Sequence, residues 1–118
     1  MKIRYEEQAG WPGALKLIRR VAAFGRIDRV LGFKVGITSE PEKRAAGYRY
    51  NDPHFKEMVV IYKTSSDAVV RDIEGKLTDW FLDDNECYNE RRGGGGPSGK
   101  PPYYLYVVLC EKIELGST

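Results

Sequence analysis

The stretch Phe33-Lys34-Val35-Gly36-Ile37-Thr38-Ser39-Glu40-Pro41-Glu42-Lys43-Arg44-Ala45-Ala46-Gly47-Tyr48 constrains this chain more than any other. Phe33, Val35 and Ile37 alternate with Lys34, Gly36 and Thr38, the period of two that sends successive side chains to opposite faces of a strand. The strand turns at once into a helix. Ser39 is a good N-cap, and Glu42 three residues on completes a capping box. Pro41 fits a first helical turn, where its missing N–H costs little. Arg44 and Tyr48 are four residues apart and share one helix face. The strand offers Lys34, Gly36 and Thr38 on one side, and the helix can bring Arg44 and Tyr48 beside them. A cation, a phenol and bare backbone together make a candidate phosphate site.

Upstream, residues 1–12 carry no clear pattern and end in the punctuation Trp11-Pro12-Gly13. A helix is expected over about 13–24, with Leu15, Ile18, Val21, Ala22 and Gly25 at three- and four-residue steps. Lys16, Arg19 and Arg20 lie off that stripe, as a solvated face or as a nucleic-acid contact. Phe24 to Leu31 reads as a second short helix that Gly32 ends. After Tyr48, Arg49-Tyr50-Asn51-Asp52-Pro53 reads as a polar loop. His54, the only histidine, follows it, either as a site residue or hydrogen-bonded locally.

Met58-Val59-Val60-Ile61-Tyr62 is a continuous apolar run, which suits a strand over about 57–63 covered on both faces. Thr64-Ser65-Ser66-Asp67 is a cap-rich turn into a helix over Asp67 to Leu82. Val69, Ile73, Leu77 and Trp80 mark one apolar stripe of that helix, and Val70, Leu77 and Phe81 its neighbour. Glu74 falls on the second stripe, and burying a charge without a partner is costly. Glu74 is therefore paired with Arg71 one turn back, or kept for a metal or a proton, or placed at the boundary in a surface ion pair.

The connection from Asp83 to Pro102 is long, polar and rich in glycine. Gly93-Gly94-Gly95-Gly96 exposes backbone N–H groups, and the segment reads either as a flexible linker to the last strand or, with Arg91 and Arg92 beside the glycines, as a loop that contacts nucleic acid. It is not a Walker A loop, because Lys100 follows at the wrong spacing with no helix after it. Tyr103 to Cys110 is a strong strand over about 103–110, with Tyr104, Tyr106 and Val108 on one face.

A chain of 118 residues with a net charge of +2 is read as one mildly basic domain, which permits a nucleic-acid partner without demanding one. Cys87 and Cys110 have no metal-ligand spacing and make no disulfide framework, so a reduced, cytoplasmic setting is expected. No apolar run reaches membrane-span length, and the first residues lack a signal-peptide core. Histidines and cysteines are too few for a zinc hydrolase site.

Lys34-Val35-Gly36-Ile37-Thr38, followed by an arginine in the next helix, resembles the second half of the GIY-YIG nuclease signature, Tyr-Ile-Gly-x-Thr/Ser and then Arg. The spacing from Gly36 to Arg44 and Tyr48 is similar, and a lysine in place of the tyrosine is familiar among small phage and bacterial members. The family's first strand, which carries Gly-Ile-Tyr, does not precede Phe33. Tyr104-Leu105-Tyr106-Val107-Val108 resembles it instead, which implies a circular permutation with the last strand beside residues 33–38. The resemblance covers about 33–109, so the domain is expected as a core over about 33–110 with an N-terminal helical extension over about 1–31.

What the resemblance implies is a metal-dependent endonuclease acting on DNA. Glu74 would bind Mg²⁺ or Mn²⁺, and Tyr106 or Lys34 would orient or deprotonate the attacking water. Arg44 would neutralise phosphate charge, Tyr48 would position phosphate or water, and Asn89 would match the family's asparagine. Gly36, Thr38, His54, Arg91 and Arg92 are the further candidate nucleic-acid contacts. Lys34 in the tyrosine position and the missing first glycine are departures. They keep open a nucleic-acid-binding module that has lost cleavage, and a protein-interaction domain. The fold expected is α/β (α+β): a small, mainly antiparallel three-stranded sheet flanked by helices, with an extra N-terminal helix.

Overall fold

The computed structural model describes residues 1–6, 13–26, 30–51, 54–81 and 99–111. The fold is α+β, with a four-stranded mixed sheet and three helices among the described residues. In chain order the elements are β1 (Lys2–Tyr5), α1 (Ala14–Gly25), β2 (Val30–Thr38), α2 (Pro41–Asn51), β3 (Phe55–Thr64), α3 (Asp67–Phe81) and β4 (Tyr103–Glu111). The sheet order is β1-β3-β4-β2. β4 runs antiparallel to both neighbours, and β1 runs parallel to β3.

The fourth strand corrects the three-strand expectation. β1 has only four residues, half-exposed and alternating with charges, so its sequence pattern is too short to stand out. It becomes a strand because β3 offers it a free edge, pairing Lys2 with Glu57 and Tyr5 with Val60. β2 also starts earlier than the alternating pattern suggested. Val30 is already paired with Glu111, and the register slips between Val30 and Gly32. Gly32 thus lies at a strand irregularity rather than at the end of a second helix, a place where glycine is common.

The sheet is covered on both faces. On one face α1 and α3 bury Leu17, Val21, Phe24, Val70, Ile73, Leu77 and Phe81 against Phe33, Val35, Ile37, Leu105, Val107 and Leu109. Phe33 and Phe81 meet edge to face at 5.4 Å. On the other face α2 brings Ala45 and Tyr48 onto Met58, Val60, Tyr106 and Val108. The continuous apolar run of β3 fits its double cover: Met58 and Val60 face α2, while Val59 and Ile61 face α1 and α3.

α1 presents a different face from the one its spacing suggested, and α3 buries the second of its two expected stripes in preference to the outer members of the first. In α1 the buried row is Leu17, Val21 and Phe24, whereas Leu15 is exposed. In α3 the row with Val70, Glu74, Leu77 and Phe81 is buried, and Val69 and Trp80 are exposed. α3 is capped as its sequence predicts: Ser66 accepts the Val69 N–H at 3.2 Å on its hydroxyl and the Val70 N–H at 3.1 Å on its carbonyl. Pro41 opens the helix α2, Arg44 N–H donates to Glu40 O at 3.0 Å, and the Thr38 hydroxyl accepts the Glu40 N–H at 3.1 Å. The Thr38 hydroxyl thus supplies a side-chain bond at this turn.

Among the described residues no helix is long and apolar enough to cross a membrane. Cys110 is buried on the α2 side of the sheet and is in no disulfide among the described residues.

Candidate active site

The site is built by strand register. Gly36 of β2 lies directly opposite Tyr106 of β4, with Lys34 opposite Val108 and Thr38 opposite Tyr104. Cross-strand partners in an antiparallel pair project to the same face. The Tyr106 ring therefore leans over Gly36, and the missing side chain there is what makes room. A Cβ on Gly36 would come within 3.0 Å of Tyr106 Cε1 and would overlap Cζ and Oη.

Over Gly36 the Tyr106 hydroxyl meets two groups from α2. Arg44 Nη1 donates to it at 3.1 Å, and the Tyr48 hydroxyl shares a hydrogen bond with it at 2.9 Å. Arg44 and Tyr48 are one helical turn apart, so one face of α2 delivers both. Tyr48 is held from the side by Phe55, ring centroids 5.4 Å apart, and it meets the Tyr106 ring at 6.0 Å. Tyr106 itself is only 1% exposed. What faces solvent is Arg44, which is exposed, and Tyr48 and Lys34, which are half-buried.

Glu74 comes from α3, on the opposite face of the sheet. It is 7% exposed. Burial pushes its carboxyl above the ordinary glutamate range, and the positive charges of Arg44 and Arg71 offset that in part. Arg71 does not pair with it: Arg71 Nε binds Asp67 Oδ1 at 2.6 Å. Of the alternatives open from sequence, the ion pair one turn back and the surface boundary position are thus both removed. No hydrogen bond or ion pair to the Glu74 carboxylate is formed among the described residues; its backbone carbonyl accepts from the Thr78 hydroxyl at 2.9 Å. Arg44 is the residue common to both halves, bonded to Tyr106 and within electrostatic reach of Glu74.

A metal ion here would rest on a single carboxylate, since the described residues hold no group of three or more histidine, cysteine, aspartate or glutamate side chains that could hold a metal ion. One buried carboxylate without a bonded partner among the described residues fits a hard divalent cation that keeps most of its waters and takes further oxygens from a phosphate.

Four sequence-predicted residues, Gly36, Arg44, Tyr48 and Tyr106, thus meet on one face of the sheet, with Lys34 next along the same face of β2, while Glu74 lies on the other face and is linked to them through the charge of Arg44. Thr38 does not join it as a ligand contact: it is buried, and its hydroxyl accepts a backbone N–H. His54 is exposed in the turn before β3, and the hydrogen bonds of the cluster do not reach it. Asn89, Arg91 and Arg92 lie outside the described residues. Tyr50, expected in a polar loop, lies instead in α2, which continues through Asn51. The signal was present in the polar, helix-compatible run that extends up to the pre-proline position.

No protein-family model, curated protein or solved structure matches the chain.

Proposed function

We propose that this chain is a metal-dependent endonuclease that hydrolyses phosphodiester bonds in DNA, built on a circularly permuted GIY-YIG-type domain. The observation that carries the reading is the convergence of Tyr106, Arg44 and Tyr48 over Gly36, with Arg44 also coupled to the buried Glu74. The pairing of β4 with β2 supports the permutation, because the last strand then fills the slot of the family's first strand.

In this reading Arg44 presents its planar donors to the scissile phosphate and offsets the charge that builds on its oxygens. Tyr106 is too buried to touch substrate and acts behind Arg44 and Tyr48, holding both in place. Tyr48 and Lys34 are the groups that orient the attacking water, whose oxygen bonds to phosphorus as the bond to the leaving oxygen breaks. Glu74 would hold Mg²⁺ or Mn²⁺, which supplies Lewis-acid stabilisation of the leaving oxygen.

A second reading is a nucleic-acid-binding module that keeps the fold without cleavage. The burial of Tyr106 and the lysine at position 34 favour it. A nicking assay separates the two. Supercoiled plasmid and a branched DNA are incubated with Mg²⁺, Mn²⁺ or EDTA, beside a Glu74→Ala control. The nuclease reading expects metal-dependent cutting that Glu74→Ala abolishes. A folded wild type that cuts neither DNA overturns it and leaves the binding module.

A further inference from the structure

Gly47 sits in the middle of α2 with nothing among the described residues to require it. Its φ is not positive, and a Cβ added to it would meet no atom within 4 Å. Mid-helix glycine is unfavourable relative to alanine, so a glycine without packing or backbone cause points to something outside the chain that approaches the helix there. Three residues on either side, on the same row, stand Arg44 of the site and Tyr50. Tyr50 is 90% exposed and is the most exposed large hydrophobic side chain among the described residues. Lys43, seven residues before Tyr50, lies on the same side of the helix two turns away, and Arg49 precedes Tyr50. Both cations are exposed, and Lys43 has only a loose 3.8 Å pair with Glu40.

We infer that the row Arg44–Gly47–Tyr50 is a track for a single nucleic-acid strand leading into the candidate site. Gly47 is a notch where sugar and phosphate come close to the helix backbone. Tyr50 is a platform on which an unpaired base stacks, a contact that accepts any base because every base has a π-face. Lys43 and Arg49 answer the phosphates on either side. Stacking needs a base free of its duplex partner, so the substrate class is single-stranded or branched DNA rather than uniform duplex. This inference rests on the nucleic-acid reading of the site but not on cleavage.

The test is binding in EDTA, followed by fluorescence anisotropy of a labelled single-stranded oligonucleotide, a branched duplex and a plain duplex. Tyr50→Ala should weaken single-strand and branched-DNA binding at least fivefold, while Tyr50→Trp retains it, the range that loss of one stacked base gives. Gly47→Ala should raise the melting temperature by about 3–6 °C, as a better helix former does, and yet weaken the same binding. Stability and affinity moving in opposite directions is a result that a structural role for Gly47 does not produce. A more stable Gly47→Ala and a Tyr50→Ala that both bind single strands as wild type does overturn the track. So does a wild type that prefers plain duplex, even if it cuts DNA. Weakened binding by both variants in a protein that never cuts keeps the track and removes the nuclease.

Discussion

Gly36→Ala tests the centre of the site through stability alone. The new methyl group would stand 3.0 Å from Cε1 of Tyr106 and overlap Cζ and Oη. Tyr106 cannot swing away freely, because it is 1% exposed between Gly36 and Val60 on the neighbouring strands. Overpacking of this kind costs about 1–3 kcal/mol. Displacing the phenol also breaks its bonds to Arg44 and Tyr48, at about 1 kcal/mol each. Alanine in a strand returns about 0.5–1 kcal/mol relative to glycine. The net expectation is a loss of about 2–4 kcal/mol, which lowers the urea midpoint by about 1.3–2.7 M at an m-value of about 1.5 kcal/mol/M. A domain with ordinary stability survives that and can be titrated. The same substitution is then made in Tyr106→Leu, which lacks Cε1, Cζ and Oη, and in Tyr106→Phe, which keeps Cε1 and Cζ. The penalty should vanish in the leucine background and persist in the phenylalanine one. A midpoint shift below about 0.3 M for Gly36→Ala alone, or equal penalties in both backgrounds, refutes the claim that Tyr106 occupies the space over Gly36.

Glu74→Gln should stabilise the fold at neutral pH. Burial raises the carboxyl's pKa in the folded state, so its stabilising protonated form is complete below the unfolded-state value and is lost as pH rises through the raised one. The advantage of glutamine should therefore shrink to nothing as pH falls through the carboxyl range, as chemical denaturation at several pH values would reveal. A wild-type protein as stable as Glu74→Gln at neutral pH counts against that burial. Ser66→Ala removes the cap of α3 and should cost about 1 kcal/mol in urea unfolding. Arg44→Lys keeps the charge but loses the fork-shaped donor set, so it should remain well below wild type in nicking assays while Arg44→Ala is lower still. Equal activity of wild type and Arg44→Lys would reduce Arg44 to a point charge.

Much of the local structure was legible in the chain. The alternation of residues 33–38, the proline at position 41 and the cap at Ser66 each express a backbone preference that acts over four or five residues. The stripe on α3 placed Glu74 on an apolar face, and Glu74 is buried. The misses share a cause. Leu15, Val69 and Trp80 fit a helical apolar period as well as their neighbours do, and only the direction from which the sheet approaches decides which row is covered. β1 was invisible because four residues carry too little pattern, and it exists only where β3 offers an edge.

The sequence by itself determined α1, α2, α3 and the cores of β2 and β3, the candidate chemistry of Arg44, Tyr48 and Glu74, and the strand character of residues 103–110. Tertiary structure decided which groups meet. Register set Tyr106 against Gly36, and helix placement brought Arg44 and Tyr48 to that phenol and within electrostatic reach of Glu74. The physical reason is range. Turns, caps and periodicity are encoded by near neighbours, whereas Arg44 and Tyr106 are 62 residues apart and are joined only because β4 inserts between β2 and β3.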